Sequence, residues 1–148
     1  MAEVSMAKNT SLDQLTTQKL TGLRLSLLRL HKVLLDDERA SYEKAHGPIG
    51  SISQVLSLVM SDPWFDWLHT FSRQIVKIDE LEDDPQATNE QALAVIRETS
   101  LMIVPKPGTA AAESEFMARY KAALAKSSGA VMAHAELLKA AFTEPRDQ

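Results

Sequence analysis

Leucine stands at positions 20, 23, 27, 30 and 34, the three- and four-residue steps that align one side of an α-helix. Such a stripe escapes water only by packing against other elements. Nothing else in the chain alternates apolar and polar residues as a half-buried strand does, so the partners are expected to be helices too. Three clusters of helix breakers divide the chain: His46-Gly47-Pro48 with Gly50, Asp83-Asp84-Pro85, and Pro105-Lys106-Pro107-Gly108. The intervals predict helices over 12–46, 51–60, 63–82, 89–103 and 110–142. The expected fold class is all-α, a four- to five-helix antiparallel bundle in a single domain.

Start signals agree. Ser11-x-x-Gln14, Ser51-x-x-Gln54 and Thr88-x-x-Gln91 have capping-box spacing. Asp62-Pro63 supplies an acceptor followed by a residue whose missing N–H costs nothing at a helix start. Thr109 is expected to cap the last helix, and Gly129 after Ser127-Ser128 marks a place where it can bend or break. At roughly 1.5 Å per residue the first helix is about 50 Å long and the fourth about 22 Å. The long members are therefore expected to break or to meet something beyond the bundle. Residues 1–10 and 144–148 are expected to be frayed tails.

Beside the leucines of the first helix runs a second row: Arg24, Leu28, His31, Leu35, Glu38 and Tyr42. The stretch from Pro63 aligns Trp64, Trp67, Leu68, Phe71, Ile75 and Ile78. At ~100° per residue, Phe65 and Val76 fall on a flank shared with His69 and Ser72. The last stretch aligns Phe116, Tyr120, Ala123, Ser127, Val131, His134, Leu138 and Ala141, whose small members are expected to let a neighbour approach closely.

Composition narrows the function. Sixteen basic against twenty acidic residues leave a net charge of −4, opposite to the footprint of a protein that reads a nucleic-acid backbone. Zero cysteines exclude disulfides, thiol catalysis and cysteine-held metals. Residues 20–35, the longest leucine-rich stretch, are interrupted by Arg24, Arg29, His31 and Lys32, too polar for a membrane span. MAEVSMAKNT lacks the apolar run of a secretory leader, so a cytoplasmic protein is expected. Neither a glycine-rich phosphate loop nor a Gly-x-Ser-x-Gly elbow occurs.

His31, Glu38, Tyr42 and His134 form the sharpest chemical constellation. Imidazole, carboxylate and phenol on inward faces can hold a ligand or move protons. The competing reading is a structural network in which cross-helix bonds satisfy each group. Ferritin-like chemistry needs Glu-x-x-His, and the nearest match is Asp66-x-x-His69. A calcium loop begun at Asp79 fails at Asp84 and Pro85. No metal, cofactor or catalytic residue is assigned. The acidic run Asp79, Glu80, Glu82, Asp83 and Asp84 reads as a solvated loop entrance. Arg39 with Asp36, and Lys77 with Asp79 and Glu80, read as surface pairs. His46 is expected to close the first helix at its C-terminus, and His69 to face solvent or a subunit.

The segments LLRLHKVLLDDERASYEKAHGPI and LSLVMSDPWFDWLHTFSRQIVKIDELED carry a resemblance over residues 20–84. In LHK-x-LLD-x-ER with Tyr42, and in DPWF-x-WL, the chain resembles a group of short uncharacterised bacterial helical proteins. The resemblance implies a bacterial, cytoplasmic, all-helical protein and attaches no activity.

The expected role is a non-enzymatic interaction or scaffold protein, homodimeric or bound to another protein. Trp64, Phe65, Trp67 and Phe71 are the interface candidates, since aromatic residues anchor interfaces. The alternative is a small-molecule or metal-binding bundle around His31, Glu38, Tyr42 and His134, extending to catalysis if those side chains line an open cleft.

Overall fold

The computed structural model describes residues 11–142 of the 148-residue chain, and the expected tails at 1–10 and 144–148 lie outside them. Leu20, Leu23, Leu27, Leu30 and Leu34 are all fully excluded from solvent. They lie on α1 (Gln14–His46), one unbroken helix of 33 residues. After it come α2 (Ile52–Ser61), a 3-10 segment (Pro63–Leu68), α3 (His69–Asp83), α4 (Asn89–Ile103), α5 (Glu115–Lys126) and α6 (Ser128–Phe142). Among the described residues there is no strand, and Ser11 meets Thr88 only in an isolated bridge. The class is all-α. No described helix is long and apolar enough to cross a membrane.

Among the described residues six α-helices replace the four or five expected, and each difference has a local cause. The predicted helix over 63–82 opens as a 3-10 segment. At about three residues per turn, residues three apart eclipse, so Phe65 and Leu68 share the inward face and both are fully buried. Phe65 is thus core rather than flank. The last predicted helix begins late and breaks once. Thr109 caps only a turn, accepting from Ala112 N at 3.3 Å, and Ser114 caps α5. The break falls at Ser127, whose backbone is extended (φ −135°, ψ 114°) and whose Oγ accepts from Ala130 N at the start of α6. Val131 is consequently exposed, and α6 buries Ala130, Ala133, Leu137 and Ala141 instead.

The other caps follow acceptor strength. Asp13, not Ser11, caps α1 by accepting from Thr16 N at 2.7 Å. Asn89 at the start of α4 donates to Asp13 and accepts from its backbone N–H, tying two helix starts together. Thr88 and Gln91 form the full capping box. Ser51 caps α2, while Gln54 turns to Gly50 N. Gly47 closes α1 at φ +93°, a conformation that only glycine adopts without strain. Beside it His46 Nδ1–H donates to Tyr42 O at 3.3 Å, in the C-terminal role expected for it.

α1 is the element against which α6, α3, the 3-10 segment and α4 pack. Arg29 meets Glu136 at 2.7 Å, and a Cβ added to Gly129 would lie 3.6 Å from Val33 Cγ1. The N-terminus of α6 therefore sits at the level of Val33, and α1 runs on past it for three more turns.

Polar side chains pin the neighbours. Thr21 Oγ1 donates to Glu82 Oε2 at 2.6 Å and Arg24 Nε to Glu82 Oε1 at 2.5 Å. Part of the supposed solvated acidic run thus fastens α3 to α1. Gln74 Nε2 donates to Thr99 Oγ1 and Glu98 Oε1, and Lys77 pairs with Glu98 rather than with Asp79 or Glu80. Arg39 lies 3.7 Å from Glu43, while Asp36 pairs with Lys32. His69 does not face solvent: its Nε2–H donates to Val59 O at 2.8 Å, joining α3 to α2.

Of the four aromatic interface candidates, Trp64 is partly exposed and the other three are buried. Phe65 and Phe71 are fully buried and Trp67 is 8% exposed, all within this chain's own core. Side chains already enclosed by their own helices present no area to a partner. Leu28, placed in the row beside the leucine face by its spacing, is exposed.

Candidate ligand site

Where α1 outruns α6, its next residues face a cleft. Leu34, Asp37, Glu38 and Ser41 fall three and four residues apart, so they share one helix face. Arg119, Ala122, Ala123 and Lys126 repeat that spacing on α5 and form the opposite wall. Asp62, Pro63 and Trp64 close one side, and the corner residues Ser127 and Ser128 contribute as well. The cavity measures about 890 Å³ and opens to solvent. Its size lies in the ~300–1,000 Å³ range of small-molecule sites. The alanines of α5 do not draw a neighbour close, as their size suggested; they leave the space unfilled because the chain turns away at Ser127.

Two residues of the lining each hold one solvent-shielded polar atom with no hydrogen-bond partner, Asp37 Oδ2 and Trp64 Nε1. One can only accept, the other only donate. A buried polar atom left unpaired costs about 1–3 kcal/mol. The neighbouring groups are engaged. Glu38 Oε2 accepts from Trp67 Nε1 at 2.5 Å, and Asp62 Oδ1 accepts from Trp64 N at 2.8 Å. On the α5 wall, Arg119 lies 3.8 Å from Glu115 of its own helix, and Lys126 has no ion pair among the described residues.

The four side chains singled out by sequence do not gather in one site. Glu38 alone of them lines this cleft. Tyr42 borders a second depression of about 320 Å³, stacked on His46 (4.3 Å between centroids) and edge-on to Trp64 at 5.5 Å. His31 and His134 line neither cavity. His31 Nε2 meets Ser72 Oγ at 3.2 Å and its ring leans on Phe71. His134 Nδ1 meets Tyr120 OH at 2.5 Å. Phe71 in turn contacts Trp67, Phe116 and Tyr120, so both histidines sit on the margin of one aromatic core. Among the described residues no group of three or more histidine and acidic side chains is placed to hold a metal.

Burial sets the protonation of this margin. Desolvation lowers His31 below its ordinary 6.5, and the neighbouring His69 adds to the shift. Desolvation also lowers His134, and it raises the Tyr120 phenol. Both partners of that pair are held neutral, so Tyr120 O–H donates and His134 Nδ1 accepts, with the imidazole proton on Nε2. These are structural bonds, the competing reading of the constellation.

Sequence reasoning passed over Asp37, the Trp64 N–H, Arg119 and Lys126. Asp37 sits within Asp36-Asp37-Glu38 and looks like any solvated acidic run. The available signal was the continuation of the Leu34 face through 37, 38 and 41.

Two predictions follow from these contacts. Trp67→Phe removes the donor to Glu38 and should cost about 1.5–3 kcal/mol, the range for a bond to a charged group. Trp64→Phe deletes an N–H with no partner and should leave stability unchanged or raise it; denaturant titration of both variants separates the cases. The second concerns pH. A histidine whose folded pKa lies below its unfolded one contributes stability in full above about pH 6.5, and that contribution is lost as pH falls. Glu98, held low by Lys77 and then Gln74, gives way only at lower pH, from its ordinary 4.5 downward. Melting temperature should therefore drop between pH 7.5 and 5.5, and the double variant His31→Gln, His134→Gln should flatten that slope. An unchanged slope would mean that neither imidazole is held neutral.

In comparisons with protein-family models, curated proteins and solved structures, nothing matches this chain.

Proposed function

We propose that the protein is a non-enzymatic binding protein for a small polar molecule, held in the cleft between α1 and α5. The observation that carries the reading is a solvent-open cavity of ligand size whose lining holds Asp37, Glu38 and Asp62 on one side and Arg119 and Lys126 on the other, with no ion pair across it among the described residues. The site stands on a scaffold that we read as an antiparallel bundle. The bonds of Thr21 and Arg24 to Glu82, and of His31 to Ser72, run in opposite chain directions on α1 and α3. The histidines are engaged away from the cleft, which supports binding rather than histidine acid–base chemistry.

Thermal melts of the full chain against a panel of small amines, carboxylates, amino acids, sugars and phosphate esters test the reading. At least one class should raise the melting temperature, since a ligand at a hundredfold its Kd adds about 2.7 kcal/mol. Ala122→Trp, which fills the cleft from an exposed position, should abolish that gain. A panel without effect, or an effect that survives Ala122→Trp, counts against the site.

A second reading, self-association, is favoured by α2. This helix buries no residue and carries no charge, and Ile52, Leu56 and Met60 at 77%, 58% and 77% exposure form a stripe at four-residue spacing. An uncharged stripe is compatible with a second copy of itself, because nothing in it repels. Sedimentation at tens of micromolar should show a dimer that Leu56→Glu dissolves; a wild-type monomer of 16.4 kDa would remove this reading.

A further inference from the structure

Among the described helices α2 alone buries no residue. Its attachment to the rest of the fold fixes which side is left over. His69 Nε2–H donates to Val59 O at 2.8 Å, and Leu58 and Val59 pack half-buried against the core. Ile52, Leu56 and Met60 therefore stay outward, at 77%, 58% and 77% exposure. The stripe is symmetric about Leu56, with one apolar side chain four residues before it and one four residues after. A two-fold pairing with a second copy, centred on Leu56, sets Met60 against Ile52 when the helices run antiparallel and against its own counterpart when they run parallel. Met60 is at the contact either way. One helix of about 15 Å offers little beside the ~800 Å² that each partner gives to a stable interface. The pairing is weak and reversible, and it depends on all three side chains.

The sulfur chemistry of the chain is unusually simple. With no cysteine, its six methionines hold all of its sulfur, and no thiolate competes for a two-electron oxidant. Among the described residues Met117 is 3% exposed and Met102 half-buried, while Met60 and Met132 are 77% and 68% exposed. Met132 stands on α6, outside the α2 stripe. Oxidation turns a flexible apolar side chain into a polar, chiral one. In a stripe of three, that replaces a third of the apolar contact by a group that holds water.

Resting on the self-association reading above, we infer that Met60 is a modification site: its oxidation by a peroxide-class oxidant releases the α2 pair. A sulfur lone pair attacks one peroxide oxygen and the O–O bond breaks. The sulfur, oxidised by two electrons, becomes the sulfoxide, and the peroxide is reduced to water. The reaction takes place on the separated chain, where Met60 is open to solvent, and mass action then drains the pair. Because Met60 makes no part of the enclosed core, the fold itself survives the change.

The experiment treats the full chain at tens of micromolar with graded hydrogen peroxide. Sedimentation measures pairing, and peptide mass spectrometry measures sulfoxide at each methionine. The paired fraction should fall in step with sulfoxide at Met60, and oxidation should weaken pairing by about tenfold or more. The melting temperature, extrapolated to low protein concentration, should stay unchanged. Met60→Leu, close in volume and without a thioether, should pair and ignore the oxidant. Met132→Leu should respond as the parent chain does, which tests Met60 with its own side chain in place if Met60→Leu fails to pair. Methionine sulfoxide reductases of both stereospecificities, with a thiol reductant, should restore the pair. Complete sulfoxide at Met60 with pairing intact, or loss of pairing in oxidised Met60→Leu, would overturn the switch and leave self-association standing. A parent chain that is monomeric before any oxidant is added would overturn both.

Discussion

The burial of one leucine ridge on α1 organises everything else. Fully hiding a leucine is worth about 1.5–3 kcal/mol relative to leaving it in water, and five of them lie on one side of a single helix with no exposed surface. That ridge draws α6, α3, the 3-10 segment and α4 onto the same rod. Apolar burial has no direction of its own, so it gathers the helices without choosing their register.

Polar side chains make that choice. Thr21 and Arg24 to Glu82, Gln74 to Thr99, His69 to the Val59 carbonyl, and Tyr120 to His134 each join two elements. A slip of one turn would strand these groups in a poorly solvated setting, at a cost comparable to a lost hydrogen bond. The polar row beside the leucines therefore works as a set of pins. His31 of that row and His134 of α6 are partly buried where they border the aromatic core around Phe71, and that desolvation lowers both pKa values.

The cleft is a consequence of unequal lengths. α1 has 33 residues and α6 only 15, and their contact ends near Val33. Beyond that point α1 carries Asp37, Glu38 and Ser41, and the facing α5 carries alanines between two cations. Larger apolar residues there would have closed the space and stabilised the fold. Small residues and charges of both signs line the space together, which ties the binding reading to the chemistry of the walls rather than to the presence of a hole alone.

The helical class, the boundaries of α1 and α4, the inward leucines and the Thr88 capping box were legible in the residues, because each rests on spacing within one turn or two. The 3-10 start at Pro63, the break at Ser127 and the exposure of Leu28 were not, since two conformations of similar local energy are separated there by packing. The partners of His31, Glu38 and His134 come from residues 14 to 41 positions away, which no periodicity encodes. The cleft was the least legible feature of all. Asp37 and Lys126 read as ordinary surface charges until α1 and α5 face each other. Local spacing alone determined which sides of the helices turn inward. Only the tertiary structure decided which polar atoms found partners and which did not, because hydrogen bonding across helices depends on where rods of different length begin and end.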